Sequence, residues 1–324
     1  MEYTTLGNTG MTVSKIGLGC MSFGDEQAWM LDEEEGGELI ERAIDLGINF
    51  FDTSNSYSVG DSERILGRAI DGYDHDELVI ATKVRFASGA EYPNALGLSR
   101  KTVEQELRGS LDRLGIDAID LYQIHRWDDA TPINVTLSAF DDAIHRGDVR
   151  YAGASSMWAY QLAHALAASD LENRERFQTM QNHYNLVYRE EEREMLPLCE
   201  KEGIGVIPWS PLARGYLARP HMTANTLRKD SDEYIDRFRA SYVGGGGREI
   251  NERVQELADR YDATMAQVAL AWLLSKDVVT APIVGVSRIE HLEEAVEALD
   301  LSLSARDVDY LEEPYEPVPV VGHQ

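Results

Sequence analysis

Eight short apolar runs, each followed by an amphipathic stretch, constrain this chain more than any other feature. The runs are Ile16–Gly19, Ile48–Asp52, Leu78–Lys83, Ile119–His125, Val149–Ser155, Thr179–Tyr184, Gly205–Ser210 and Val279–Gly285. Each is short, β-branched or aromatic, and bounded by Gly or polar residues, as strands buried on both faces should be. Helical periodicity fills the gaps. Glu33–Leu46 places Leu39, Ile40, Ala43, Ile44 and Leu46 on or near one face. Thr102–Leu114 carries Val103, Leu107, Leu111 and Leu114 at helical spacing, with Ser99 placed to cap it and Gly115 to close it. The alternation predicts a parallel sheet with helices outside it. Eight units favour a closed (β/α)₈ TIM barrel, and 324 residues suit one such domain over 1–324. The rival, an open doubly wound sheet, needs a Gly-rich fingerprint after its first strand. Gly17-Leu18-Gly19-Cys20-Met21-Ser22-Phe23-Gly24 lacks the third glycine.

Three segments fall outside the repeat. Tyr3–Leu6, Gly7-Asn8-Thr9-Gly10 and Met11–Ser14 predict an N-terminal β-hairpin that plugs the barrel bottom. Pro211–Ile250 is a long irregular loop after the seventh strand, ending in the flexible run Gly244–Gly247. A loop of that length predicts a lid or a binding loop. Ser304–Leu311 predicts a short terminal helix.

Composition excludes several functions. No run of about 18 apolar residues exists to span a membrane. The first ten residues are polar, so no secretory leader is expected and a cytoplasmic protein is. Asp+Glu is 57 and Lys+Arg is 30, a formal charge of −27 that opposes binding to nucleic acid and anionic membranes. Acid excess with few lysines predicts a halophilic source, where salt screens the self-repulsion. Cys20 and Cys199 offer no disulfide framework, and the histidines show no ligand spacing, so no metal is expected.

In a barrel, chemistry sits at the C-terminal ends of the strands. Three consecutive strands end in Asp52-Thr53-Ser54, in Lys83 and in His125, and Tyr57 lies in the loop after the first of them. Singly, Asp52 could cap a helix, Tyr57 could be loop packing, and His125 could be structural. Together they make a chemical set. A cation beside a phenol favours the phenolate, and a carboxylate beside the lysine keeps it charged. A histidine can hydrogen-bond a substrate oxygen. Such a set suits proton donation to a carbonyl oxygen as charge develops there.

These segments resemble those of aldo-keto reductases. The resemblance is carried by Gly47-Ile48-Asn49-Phe50-Phe51-Asp52-Thr53-Ser54-Asn55-Ser56-Tyr57, by Ala81-Thr82-Lys83 and by Asp120-Leu121-Tyr122-Gln123-Ile124-His125, and it extends over nearly the whole chain. It implies an NAD(P)H-dependent carbonyl reductase on a (β/α)₈ barrel. Tyr57 would be the general acid, Lys83 and Asp52 would tune it, and His125 would orient the carbonyl.

The later strand ends offer cofactor candidates. Ser155 and Ser156 end the fifth strand, Gln181 lies on the sixth, and Trp209-Ser210-Pro211-Leu212-Ala213-Arg214-Gly215 follows the seventh. An indole at a strand end can stack on a planar ring or simply pack. The resemblance implies that Ser155, Ser156 and Gln181 hold the nicotinamide carboxamide and that Trp209 stacks on its ring. The family usually has asparagine where this chain has Ser156. Gly19, Cys20 and Met21 are expected to line the same site. After the eighth strand, Gly285, Ser287, Arg288, His291 and Glu294 lie at a strand-to-helix turn suited to phosphate. Arg288 could bind an adenosine 2′-phosphate or be a solvated arginine. Glu294 matches the family, which has Gln or Arg at His291 and Asn at Ala295. From Arg288 and Glu294, NADPH is expected, with NAD possible. Phe23, Trp29, Tyr57, His125 and Trp127 are expected to wall a pocket for a small carbonyl substrate, together with the loops after strands one, two and four and the Pro211–Ile250 insertion. Two other functions compete: an alcohol or sugar dehydrogenase running oxidatively, and a dinucleotide-binding redox sensor with little turnover.

Overall fold

The computed structural model describes residues 1–221 and 235–323. Strands β3 (Gly17–Gly19), β4 (Phe50–Asp52), β5 (Val79–Val84), β6 (Ile119–Ile124), β7 (Val149–Ser155), β8 (Phe177–Gln181), β9 (Gly205–Val206) and β10 (Ile283–Val284) form one sheet in the order β10-β3-β4-β5-β6-β7-β8-β9, each pair parallel. The seam between β9 and β10 closes through the bridges Val206–Val279 and Trp209–Ile283. The result is the (β/α)₈ barrel that the alternation predicts.

The hairpin of β1 (Tyr3–Thr5) and β2 (Thr12–Ser14) lies across the bottom. Its Leu6 and Val13 are fully buried with Phe50, Val79, Ala81, Leu121 and Ile207, the inward residues of the barrel. A second, larger core lies between the sheet and its helices. Helix α1 (Glu33–Asp45) starts in a capping box between Asp32 and Glu35. α2 (Asp61–Ile70) follows the β4 loop directly. α3 (Arg100–Leu114) starts with Ser99 accepting from Thr102 N and ends at Gly115, as the sequence indicates. The terminal helix is Ala305–Glu312, capped by Ser304.

Three expectations change. The sixth strand ends at Gln181 rather than Tyr184, because beyond Met180–Val206 only the single bridge His183–Trp209 joins it to its neighbour. The Pro211–Ile250 insertion is not wholly irregular. Residues 222–234 lie outside the described part, but the rest holds a 3₁₀ segment, Ala213–Ala218, and a helix, Ile235–Val243. The glycine run is a packed corner rather than a flexible element. It joins Ile235–Val243 to the helix Gly247–Tyr261, and Gly246 sits at φ +81° with its Cα against the Pro314 carbonyl. A Cβ there would run into that oxygen, and the conformation itself favours glycine.

Candidate active site

The parallel register of β4, β5 and β6 sets Asp52 beside Ala81 and Lys83 beside Gln123. Lys83 is fully buried. Its Nζ donates to Asp52 Oδ2 at 2.5 Å, to Thr53 O at 2.8 Å and to the Tyr57 hydroxyl at 3.4 Å. The other Asp52 oxygen accepts from Gln123 Nε2 (3.0 Å) and Gln181 Nε2 (2.8 Å). A buried ion is tolerable only when it is paired and hydrogen-bonded in this way. Burial opposes the Lys83 charge, but Asp52 and Tyr57 outweigh it, and the ammonium titrates above its ordinary range.

Tyr57 is half-buried at the rim. The three residues after it, Ser58, Val59 and Gly60, all have left-handed φ values of +46°, +53° and +87°. This tight turn feeds the chain straight into α2. A β-branched residue in that region costs about 1–3 kcal/mol, so the surroundings must hold it there. Behind the turn lies a buried network. Glu63 accepts from Thr82 Oγ1 (2.6 Å) and from Arg113 Nε (2.5 Å), and is itself fully buried.

His125 is 8% exposed, with its Nδ1 3.1 Å from Ser54 Oγ. Tyr57 and Phe86 meet its ring edge-on at 5.6 and 5.1 Å. Burial, reinforced by Arg126 and Lys83, keeps it well below the ordinary histidine range. It is therefore a neutral imidazole at neutral pH. The tetrad anticipated from the strand ends thus lies together on one rim, with an ammonium, a phenol and a neutral imidazole facing a common space.

The later strands complete the rim. Ser155 and Ser156 gather at the Gln181 carbonyl (3.0 and 3.5 Å), Ser156 with φ +45°. The Trp209 indole N–H donates to Ser156 Oγ at 2.9 Å. Trp209 stacks on His183 at 4.2 Å, and His183 stacks on Tyr188 at 4.0 Å. Ser210, Ala213, Arg214 and Gly215 all have positive φ, so the loop around buried Pro211 and half-buried Leu212 turns sharply. Gly285, Ser287, Arg288 and His291 are exposed, and Glu294 is half-buried. Arg288 is the N-cap of the helix Ile289–Glu297, whose first amides receive no side-chain cap.

A match to the aldo/keto reductase family spans residues 15–316. The chain belongs to that family. It is 42% identical to a Schizosaccharomyces pombe protein whose name places it with the aryl-alcohol dehydrogenases, covering 99% of this chain and 97% of that one. It is 41% identical to versiconal hemiacetal acetate reductase of Aspergillus parasiticus, covering 98% of each. An aldo-keto reductase of Fusarium vanettenii is 39% identical over 100% of this chain and 93% of its own. Reductases of this family act on small carbonyl compounds and generally use NAD(P)H.

The residues of this aldo/keto reductase fit such a cofactor. One end offers an arginine beside uncapped helix amides, which suits phosphate. The other offers two serine hydroxyls and an indole. The Gln181 amide nitrogen donates to Asp52, because the second oxygen of a buried carboxylate needs donors. Two placements differ from the sequence reading. The Cys20 side chain is fully buried in the core, where burial pushes its thiol up, while Gly19 is buried and Met21 half-buried beside it. Phe23 is also displaced from its expected role. It is fully buried, against Gly36, and forms no open wall. Trp127 and Trp29 are half-buried, and Trp29 donates to Gln27.

Sequence reasoning missed five contributors. Phe86 follows β5, a strand whose loop was left out of the wall, although the motif ending in Lys83 points to it. Gln123 lies inside the quoted segment. Glu63 and Arg113 look like solvated helix charges. His183 stands two residues past a strand end, the same signal that singles out His125. Among the described residues, no helix is long and apolar enough to cross a membrane.

Proposed function

We propose that this chain reduces an aldehyde or ketone to the alcohol with a nicotinamide cofactor, NADPH in preference to NADH. The observation that carries this reading is the fully buried Lys83 ammonium, held by Asp52 and set 3.4 Å from the Tyr57 phenol. Tyr57 donates its proton to the carbonyl oxygen as charge develops there. Lys83 stabilises the phenolate left behind, and Asp52 keeps Lys83 charged and aimed. His125, neutral by burial, hydrogen-bonds the same oxygen and orients it without competing for the proton. A bound NADPH would supply the hydride. Ser155, Ser156 and Trp209 would hold its nicotinamide end, and Arg288 with the uncapped helix would hold the adenosine phosphate, which is the basis for the NADPH preference. The ring-lined rim of Tyr57, Phe86 and Trp127 suits an aromatic substrate, in line with the aryl-alcohol name of one relative. That name also supports a second reading, oxidation of the alcohol, since the same groups serve both directions.

The test compares wild type with Tyr57→Phe. NADPH and NADH are titrated by fluorescence, and turnover is then followed with an aromatic aldehyde. We expect both proteins to bind NADPH alike and Tyr57→Phe to lose about 10²–10⁴-fold in kcat, the usual contribution of a general acid. Undiminished turnover by Tyr57→Phe would remove the phenol from the mechanism.

A further inference from the structure

Arg126 follows His125 at the end of β6, and its guanidinium enters the rim. Nη1 donates to His125 O at 2.6 Å and reaches Ser155 Oγ at 3.5 Å. The guanidinium carbon lies 5.8 Å from the Trp209 ring centre. The nearby Tyr57 oxygen favours the Arg126 charge. The side chain therefore stands among the carbonyl-binding and nicotinamide-binding residues of the proposed site.

Arg126 differs from three other sheltered arginines, which have carboxylates in a chain with 57 acidic and 30 basic residues. Arg113 holds Glu63, Arg189 holds Glu192 and Glu312, and Arg85 lies 3.6 Å from Asp128. Among the described residues, no carboxylate lies within 4.0 Å of Arg126, and its Nε and Nη2 donate to no protein atom. Burial pulls the group down to about 10, which still leaves it a cation at neutral pH. A desolvated cation without a counter-charge is unfavourable, and a planar guanidinium fork matches a carboxylate better than any other anion but phosphate.

We infer that Arg126 determines specificity by receiving a carboxylate carried on the carbonyl substrate. The inference rests on the carbonyl-reductase reading. In that reading the dinucleotide phosphates belong to Arg288, and the nicotinamide end brings an uncharged amide. An anion at Arg126 therefore arrives with the substrate. The favoured class is an oxo-acid, such as an aromatic aldehyde with a ring carboxylate.

The experiment measures kcat/KM for 4-carboxybenzaldehyde and 4-methylbenzaldehyde with wild type, Arg126→Met and Arg126→Lys. Benzoate binding is followed in parallel by tryptophan fluorescence. Wild type should prefer the carboxylated aldehyde. The preference ratio should fall about 10- to 100-fold in Arg126→Met, the range for a lost charge-assisted hydrogen bond. Arg126→Lys, which keeps the charge but loses the fork, should fall between them, which also separates loss of recognition from loss of folding. Benzoate affinity should drop in the same order. Equal preference ratios in wild type and Arg126→Met, or equal benzoate affinities, would overturn the assignment. If benzoate binding depends on Arg126 but wild type reduces neither aldehyde, the anion site stands and the carbonyl reading falls.

Discussion

His125 and His183 occupy equivalent positions and live opposite lives. Each stands just past a barrel strand, β6 or β8, and each is buried and held well below the ordinary histidine range by desolvation. His125 meets its neighbours edge-on, and its ring has a polar contact with a serine hydroxyl. His183 has both ring faces covered, by Tyr188 and Trp209, with Phe238 and Tyr242 at its edges and Tyr242 OH 2.8 Å from Nε2. A strand-end position supplies the opportunity for chemistry. Which faces the neighbours cover decides whether the ring reacts or supports. His183 is stacked between Tyr188 and Trp209, and in the proposed mechanism His125 is the ring that meets the substrate.

The sharpest way to break this contrast acts on the His125 side. Lys83→Met leaves the Asp52 carboxylate buried with two amide donors and no cation. Removing one partner of a buried pair costs about 3–5 kcal/mol. We expect a loss of that size in urea unfolding, together with loss of turnover. The pair itself is insensitive to mild alkali. The folded Lys83 titrates above its unfolded value, so its contribution is complete below that unfolded value and disappears only as pH rises through the higher folded one. A mild effect of Lys83→Met on stability would mean that Asp52 finds another counter-charge and that the rim is less rigid than its geometry implies.

The two histidines themselves give the next effect. Burial lowers both in the folded state, so the unfolded chain takes up their protons first as pH falls. Stability is then complete above about pH 6.5 and falls below it, by about 1.4 kcal/mol per pH unit for each histidine, until the folded groups titrate. Urea unfolding at pH 7.5, 6.5 and 5.5 measures the slope. His125→Gln and His183→Gln should each remove about one proton from it. Only His125→Gln should also reduce kcat with an aldehyde, by about 10²-fold. Equal kcat losses in the two variants would place His183 in the chemistry and erase the distinction.

The same contrast explains what was legible in the sequence. The barrel follows from strand and helix periods, which are local and survive any tertiary context. The tetrad follows too, because its members end consecutive strands whose neighbours are fixed by the parallel register. The Trp209 side depends on residues far apart in the chain. His183, Tyr188, Trp209, Phe238 and Tyr242 meet only after the insertion folds back, and no spacing announces that. The Gln181 bond to Asp52 is hidden for a related reason, since its partner lies on the opposite side of the barrel order. Motif position points Phe23 and Cys20 toward the site, whereas both side chains are buried in the core between the sheet and its helices.

The smallest effect concerns the outer cover of the aromatic stack. The C-terminal segment crosses the His183 side and is anchored by buried acids. Glu190 accepts from Tyr315 OH and Val318 N, both at 2.8 Å, and Glu191 holds His323 at 2.9 Å. Between those anchors, after Val318 and before His323, Gly322 sits at φ +95°, where a Cβ would lie 2.9 Å from Trp209 Cζ2. Alanine there meets two penalties, an unfavourable backbone region and the indole edge. Together they amount to about 1–2 kcal/mol. The anchors at Glu190 and Glu191 are untouched, so the strain should be relieved locally, by displacing either the last residues or the indole. Gly322→Ala should therefore shift Trp209 emission and weaken NADPH binding a few-fold, while global unfolding moves by less than the full penalty. His125 should not sense the change, because among the described residues no contact links it to this segment. A fall in kcat at saturating NADPH, with cofactor affinity unchanged, would show that the two sides of the rim are mechanically joined and that the contrast between their histidines is one of degree.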